Sequence, residues 1–71
     1  MKNKNLITIR NENNMLQREV AELLGISGQG YHLKESGKYD FTQTEMIRLS
    51  EIFGKSLDEL FGQERKVVSL V

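Results

Sequence analysis

Four glycines punctuate this chain, and their positions constrain its fold more than any other feature. Gly25, Gly37, Gly54 and Gly62 each close a segment that reads as a short helix, with Gly25 in the place where a left-handed C-cap is wanted. Val20, Leu23, Leu24 and Ile26 recur at steps of three and four, so residues 17–24 are predicted as a helix of about two turns. Ser27 stands as N-cap of a second short helix over residues 28–35. Gly28 and Gly30 sit inside that helix, each at a cost of about 1 kcal/mol relative to alanine. Thr42-Gln43-Thr44-Glu45 is a capping box ahead of Met46, Ile47, Leu49, Ile52 and Phe53 at helical spacing. Ser56-Leu57-Asp58-Glu59 repeats the box before Leu60-Phe61.

The two ends are less regular. Leu6-Ile7-Thr8-Ile9 is rich in β-branched residues, but a lone strand in a helical chain has nothing to pair with. Residues 5–13 therefore read as the first helix. Residues 64–71 change from charged to β-branched, and Val67-Val68-Ser69-Leu70-Val71 fits a short strand better than a helix. The expectation is an all-α, five-helix domain over residues 1–62, followed by a tail over residues 63–71 able to act as a dimerisation strand.

Composition narrows the function. With 71 residues the chain holds one small domain, and with no cysteine it has no disulfide to reinforce a secreted fold, so a cytoplasmic protein is expected. No apolar run approaches the roughly 18 residues of a membrane span, and MKNKN leads into only a short apolar patch, so neither a span nor a signal peptide is expected. One histidine without cysteine leaves no nucleophile–base pair and no metal-ligand cluster, which argues against an enzyme, a metal site or a cofactor. Formal net charge is zero, against the basic balance expected of a nucleic-acid binder. The first 38 residues nevertheless carry a small basic excess and the rest an equal acidic one, which permits one basic face.

Two short helices joined by a glycine-containing turn, the second led by polar residues, outline a helix-turn-helix. The run Gln17-Arg18-Glu19-Val20-Ala21-Glu22-Leu23-Leu24-Gly25-Ile26-Ser27, then Tyr31 to Glu35, Gly37-Lys38 and Ser56-Leu57-Asp58-Glu59-Leu60-Phe61, resembles the Cro/phage-repressor type of helix-turn-helix regulator. Lys34 to Lys38 and Asp40 to Met46 resemble a prophage or mobile-element branch of it. The resemblance spans roughly residues 6–61. It implies five helices and sequence-specific binding of double-stranded DNA, as a repressor, through the helix over residues 28–35.

Position by position, the resemblance places Gln17 on phosphate, Gly28, Gln29, His32 and Leu33 on the base-facing side, and Lys38 on the DNA backbone. Ser27 and Gly30 belong to the same contact surface. It also pairs Arg10 with Glu35, and an arginine beside Leu6 and Ile9 on an apolar face needs such a carboxylate. Two departures stand out: Leu16 occupies the usual Thr or Ser N-cap, and Gly28 and Gly30 replace longer polar side chains.

The residues themselves fit this reading. On a helix from Gly28, residues 29, 32, 33 and 36 share one face, which is expected to turn outward, while Tyr31 falls on the core side. Gln29 is the one good bidentate reader on that face, suited to adenine, and Leu33 can lie against a thymine methyl. The bare backbone at Gly28 and Gly30 lets the helix N-terminus approach phosphate closely. Met46, Ile52 and Phe53 are expected in the core, with Phe61 capping it.

One recognition helix with one strong reader falls short of the roughly 4–10 kcal/mol that separates specific from non-specific sites, so a homodimer on half-sites about 34 Å apart is expected. Leu57, Phe61, Val67, Val68 and Leu70 are its candidate interface, with Leu60 beside them. The competing reading is a protein-binding module of helix-turn-helix fold, an antirepressor, inhibitor or antitoxin, which the neutral net charge favours.

Overall fold

The structure, a computed structural model, describes residues 2–62. Five helices follow one another and the described residues contain no strand: α1 (Lys4–Glu12), α2 (Gln17–Leu24), α3 (Gly28–Glu35), α4 (Gln43–Phe53) and α5 (Leu57–Phe61). The expected C-terminal strand, with Val67, Val68 and Leu70, lies outside the described residues.

α1 runs one residue earlier at each end than the expected 5–13. Its β-branched stretch is helical because Leu6 and Ile9 both enter the core while Thr8 faces solvent, a three-residue period that a strand cannot produce. α4 and α5 begin on complete capping boxes, in which Thr42 and Ser56 accept from the amides of Glu45 and Glu59 and those glutamates accept in return.

The core is built from Leu6, Ile9, Val20, Ala21, Tyr31, Leu49, Phe53 and Leu60, so every helix contributes to it. Met15, Leu24, Ile26, Phe41, Ile52 and Phe61 pack against it. Tyr31, Phe41 and Phe61 form a tilted aromatic row with centroids 5.7 and 5.9 Å apart, which ties α3 to the last helix. Three apolar residues depart from their expected places. Leu23 and Ile47 are 48% and 44% exposed although they fit the helical period, and Met46 is half-buried outside the core cluster. In α2 the inward stripe is Val20, Ala21 and Leu24, which rotates Leu23 outward.

Candidate nucleic-acid interface

The turn between α2 and α3 is set by backbone chemistry. At the end of α2, Gly25 takes φ +76°, its amide donates to Glu22 O at 3.1 Å, and the Ile26 amide donates to Ala21 O at 3.0 Å. This paired closure reverses the chain, and any L side chain at Gly25 would cost about 1–2 kcal/mol. Ser27 then returns to extended backbone, and its Oγ accepts from the Gly30 amide at 2.9 Å to start α3. Leu16 has no acceptor to offer α2, so only the reciprocal half of a capping box forms there, with the Glu19 carboxylate accepting from the Leu16 amide at 2.8 Å.

α3 is held from behind by a buried carboxylate. Glu35, 2% exposed, accepts from Arg10 Nε at 2.8 Å and from Arg10 Nη2 at 3.1 Å, the fork geometry of a strong arginine–carboxylate pair. Gln17 Nε2 donates to the same carboxylate at 2.7 Å, as does the Tyr31 hydroxyl. Burial pushes the Glu35 pKa up, but the hydrogen bonds from Arg10, Gln17 and Tyr31 outweigh it and hold the group ionised below the usual carboxylate range. The hydrogen bond to Glu35 raises the Arg10 pKa, and burial together with Glu35 raises that of Tyr31. Arg10 also donates to Met15 O at 2.8 Å, which anchors the loop leading into α2.

Two further clamps hold the C-terminal end of α3. The Asn3 amide donates to Glu35 O at 3.1 Å and its side chain to Lys34 O at 3.0 Å, which satisfies carbonyls that the helix leaves open. Lys34 Nζ reaches Glu45 at 2.7 Å and joins α3 to α4. On the other side, Arg48 of α4 donates to Leu23 O at 3.1 Å.

Away from these clamps, α3 presents a narrow exposed face. Gln29 and His32 are exposed on it, with exposed Ser27 and Gly28 at its head. Leu33 and Gly30 are half-buried at its edges. Ser36 departs from the expected outward position: it is half-buried, and its Oγ donates back to Leu33 O at 2.8 Å. A Cβ at Gly30 would stand 3.0 Å from Ser27 Oγ, so the missing side chain makes room for the cap. A Cβ at Gly28 would meet only Arg18 Cβ, at an ordinary 3.8 Å.

Gln17 belongs to this face and to the clamp together. Its Nε2 is engaged by Glu35, while its Oε1 lies 3.2 Å from His32 Nδ1. Lys38 is exposed just past α3, where its amide donates to Leu33 O at 3.0 Å across Gly37 at φ +90°. Of the candidate dimer residues, Leu57 is 41% exposed, whereas Phe61 is half-buried on the core. Leu60 is fully buried and so unavailable to a partner.

Sequence reasoning missed several supports. Tyr31 and Glu35 stand four apart on one helix stripe, a spacing that does signal their contact. Asn3, Arg48 and the pairing of Lys34 with Glu45 carry no local signal, because each joins segments distant in the chain. Arg18 is exposed, and its stem flanks Gly28 at the head of α3. Among the described residues no His, Asp or Glu group is placed to hold a metal ion, and no helix is long and apolar enough to cross a membrane.

A short helix, a glycine reversal and a second helix with an exposed polar face, held from behind by polar contacts from α1, α2 and α4, define a helix-turn-helix domain. The chain belongs to the Cro/C1-type helix-turn-helix family, whose model matches residues 6–60. It is similar in structure to a transcriptional regulator from Listeria innocua, with a TM-score of 0.79 and 30% identity over 90% of this chain. The chain spans about 60% of that regulator's length. Among curated proteins none matches it.

Proposed function

We propose that this protein is a sequence-specific, cytoplasmic double-stranded DNA-binding regulator, a repressor from a phage or mobile element, that lays α3 in the major groove as a homodimer. The observation that carries this reading is the exposed pair Gln29 and His32 on a helix whose opposite side is fixed by the Arg10–Glu35 clamp. A reader must be rigid before its hydrogen bonds can discriminate, and this one is immobilised by charged and polar contacts from three other helices. The structural likeness to a transcriptional regulator supports the same reading.

Each residue has a role. Gln29 reads adenine through its amide, and Leu33, at the edge of the face, lies against a thymine methyl. Gln17 gives its second amide hydrogen to phosphate, and Ser27 gives its hydroxyl hydrogen, since its lone pair serves the Gly30 amide. Lys38 and Arg18 add cations on either side, and the bare backbone at Gly28 and Gly30 comes close to the strand. The phage or mobile-element origin rests on the likeness of Lys34–Lys38 and Asp40–Met46 to that branch.

The homodimer follows from the energy one helix can supply and from Leu57, exposed on α5. An open hollow of about 390 Å³, lined by Tyr39, Phe41, Met46 and Phe61 together with Asn3, Gly37 and Asp40, lies beside the end of α5, the helix that the tail carrying Val67, Val68 and Leu70 follows in sequence.

Titration of random-sequence duplex at increasing salt tests the function. A groove binder with several phosphate contacts loses affinity steeply, in proportion to the counterions released. Absence of duplex binding at low salt would refute the proposal and favour a protein-binding module instead.

A further inference from the structure

The hydrogen bonds behind α3 fix the chemistry of a residue in front of it. Ionised Glu35 can only accept, so the Gln17 group facing it at 2.7 Å is the NH2 end of the amide. The amide oxygen is thereby turned toward His32, whose Nδ1 lies 3.2 Å away. An amide oxygen can only accept, so His32 Nδ1 carries the proton. A neutral imidazole with its proton on Nδ1 has a bare lone pair on Nε2. That nitrogen lies across the ring from Gln17, on an exposed residue of α3, and has no hydrogen-bond partner among the described residues.

We infer that His32 reads the major groove as an obligate hydrogen-bond acceptor through Nε2, with Gln17 as the positioning residue that transmits the polarity of Glu35. Its complement is a base that offers a donor there, the N4 amine of cytosine or the N6 amine of adenine. Guanine and thymine, which present O6 or O4 at that level, set lone pair against lone pair and are rejected. Arg10 and Tyr31 take part at one remove, because they hold Glu35 ionised and in place. The inference rests on the reading of α3 as a DNA-reading helix and adds to it the class of base read and the reason.

Two measurements on the intact protein separate this inference from that reading. His32 is the only histidine, so its ring nitrogens are assignable in a long-range proton–nitrogen NMR spectrum without mutation. Nitrogen coupled to both ring carbon protons is Nε2, and at pH 8.5 without DNA it should appear unprotonated, the reverse of the tautomer that predominates in free histidine. Gln17→Met, which removes both hydrogen bonds, should restore the Nε2–H form while thermal melting remains cooperative.

Selection of duplexes from a randomised pool at the same pH then reads out base preference. Wild type should favour cytosine or adenine at one position per half-site by about three- to tenfold, the size of one hydrogen bond. His32→Ala should lose that preference at that position alone, and Gln17→Met should weaken it. An Nε2–H tautomer in the wild-type protein overturns the inference whatever the DNA result. A wild-type preference for guanine at the position sensitive to His32→Ala, or no such position, overturns it while leaving DNA binding intact. If the tautomer is as stated and no duplex is bound, the proposed function fails and base reading by His32 fails with it.

Discussion

The Tyr31 hydroxyl donates to Glu35 Oε2 at 2.7 Å, one turn further along the same helix, so α3 carries its own internal brace under the face it presents. Tyr31 is fully buried and its ring also packs against Phe41 at 5.7 Å. Tyr31→Phe keeps the packing and removes one donor from a buried carboxylate. The expected loss is about 1.5–3 kcal/mol, the range for hydrogen bonds to charged groups, read as a lower urea midpoint with an unchanged slope.

Removing the cation should cost more. Arg10 and Glu35 are 11% and 2% exposed, so Arg10→Met strands a buried carboxylate and also releases Met15 O. A loss of about 3–5 kcal/mol is expected, a large share of the stability of a domain this small. An unfolding midpoint equal to that of wild type would show that the pair contributes nothing net.

The same carboxylate sets the acid behaviour. Glu35 is held below its ordinary pKa in the folded protein, so the unfolded chain takes up the proton first, near the free value of about 4.3. Its contribution is therefore complete above that value and disappears as pH falls through the lower folded value. Glu45, where burial raises the pKa and the Lys34 hydrogen bond more than reverses it, acts in the same direction. Thermal melts between pH 7 and pH 2 should show stability falling on the acid side, and Glu35→Gln should flatten that limb while lowering stability at pH 7.

Two glycines of the helix-turn-helix should respond oppositely. Gly28→Ala places a Cβ at ordinary contact distance from Arg18 and restricts the unfolded chain, so a gain of about 0.4–1 kcal/mol is expected. Gly25→Ala forces a left-handed conformation at φ +76° and should lose about 1–2 kcal/mol. Paired calorimetric melts check both signs.

On DNA, Gln29→Ala should relax base preference at one position of each half-site by about 1–3 kcal/mol and leave random-duplex affinity nearly unchanged. Lys38→Ala should do the reverse, weakening all sequences together and reducing the salt slope by about one. Identical selection profiles for wild type and Gln29→Ala would remove Gln29 from the reading face.

Dimerisation is tested by sedimentation and operator affinity. The full chain should sediment as a dimer, and a chain ending at Gly62 should shift toward monomer with weaker operator binding. A shortened chain that remains dimeric at unchanged affinity would remove the tail from the interface.

Much of this molecule is legible residue by residue. The helix limits at Gly25, Gly54, Ser27, Thr42 and Ser56 follow from short-range chemistry, because caps and left-handed turns depend on neighbours within four positions. The helix-turn-helix was readable for the same reason. Side-chain direction was not: Leu23 and Ile47 satisfy the helical period yet face solvent, and Ser36 turns back on Leu33 O, because a period fixes a stripe but not which neighbour covers it. Least legible was the extension of the expected Arg10–Glu35 pair through Gln17 to His32, a chain of hydrogen bonds that joins three helices. Those groups meet only after hydrophobic packing has set α1 and α2 against α3. The proton position on His32 is then dictated by a carboxylate that it does not touch.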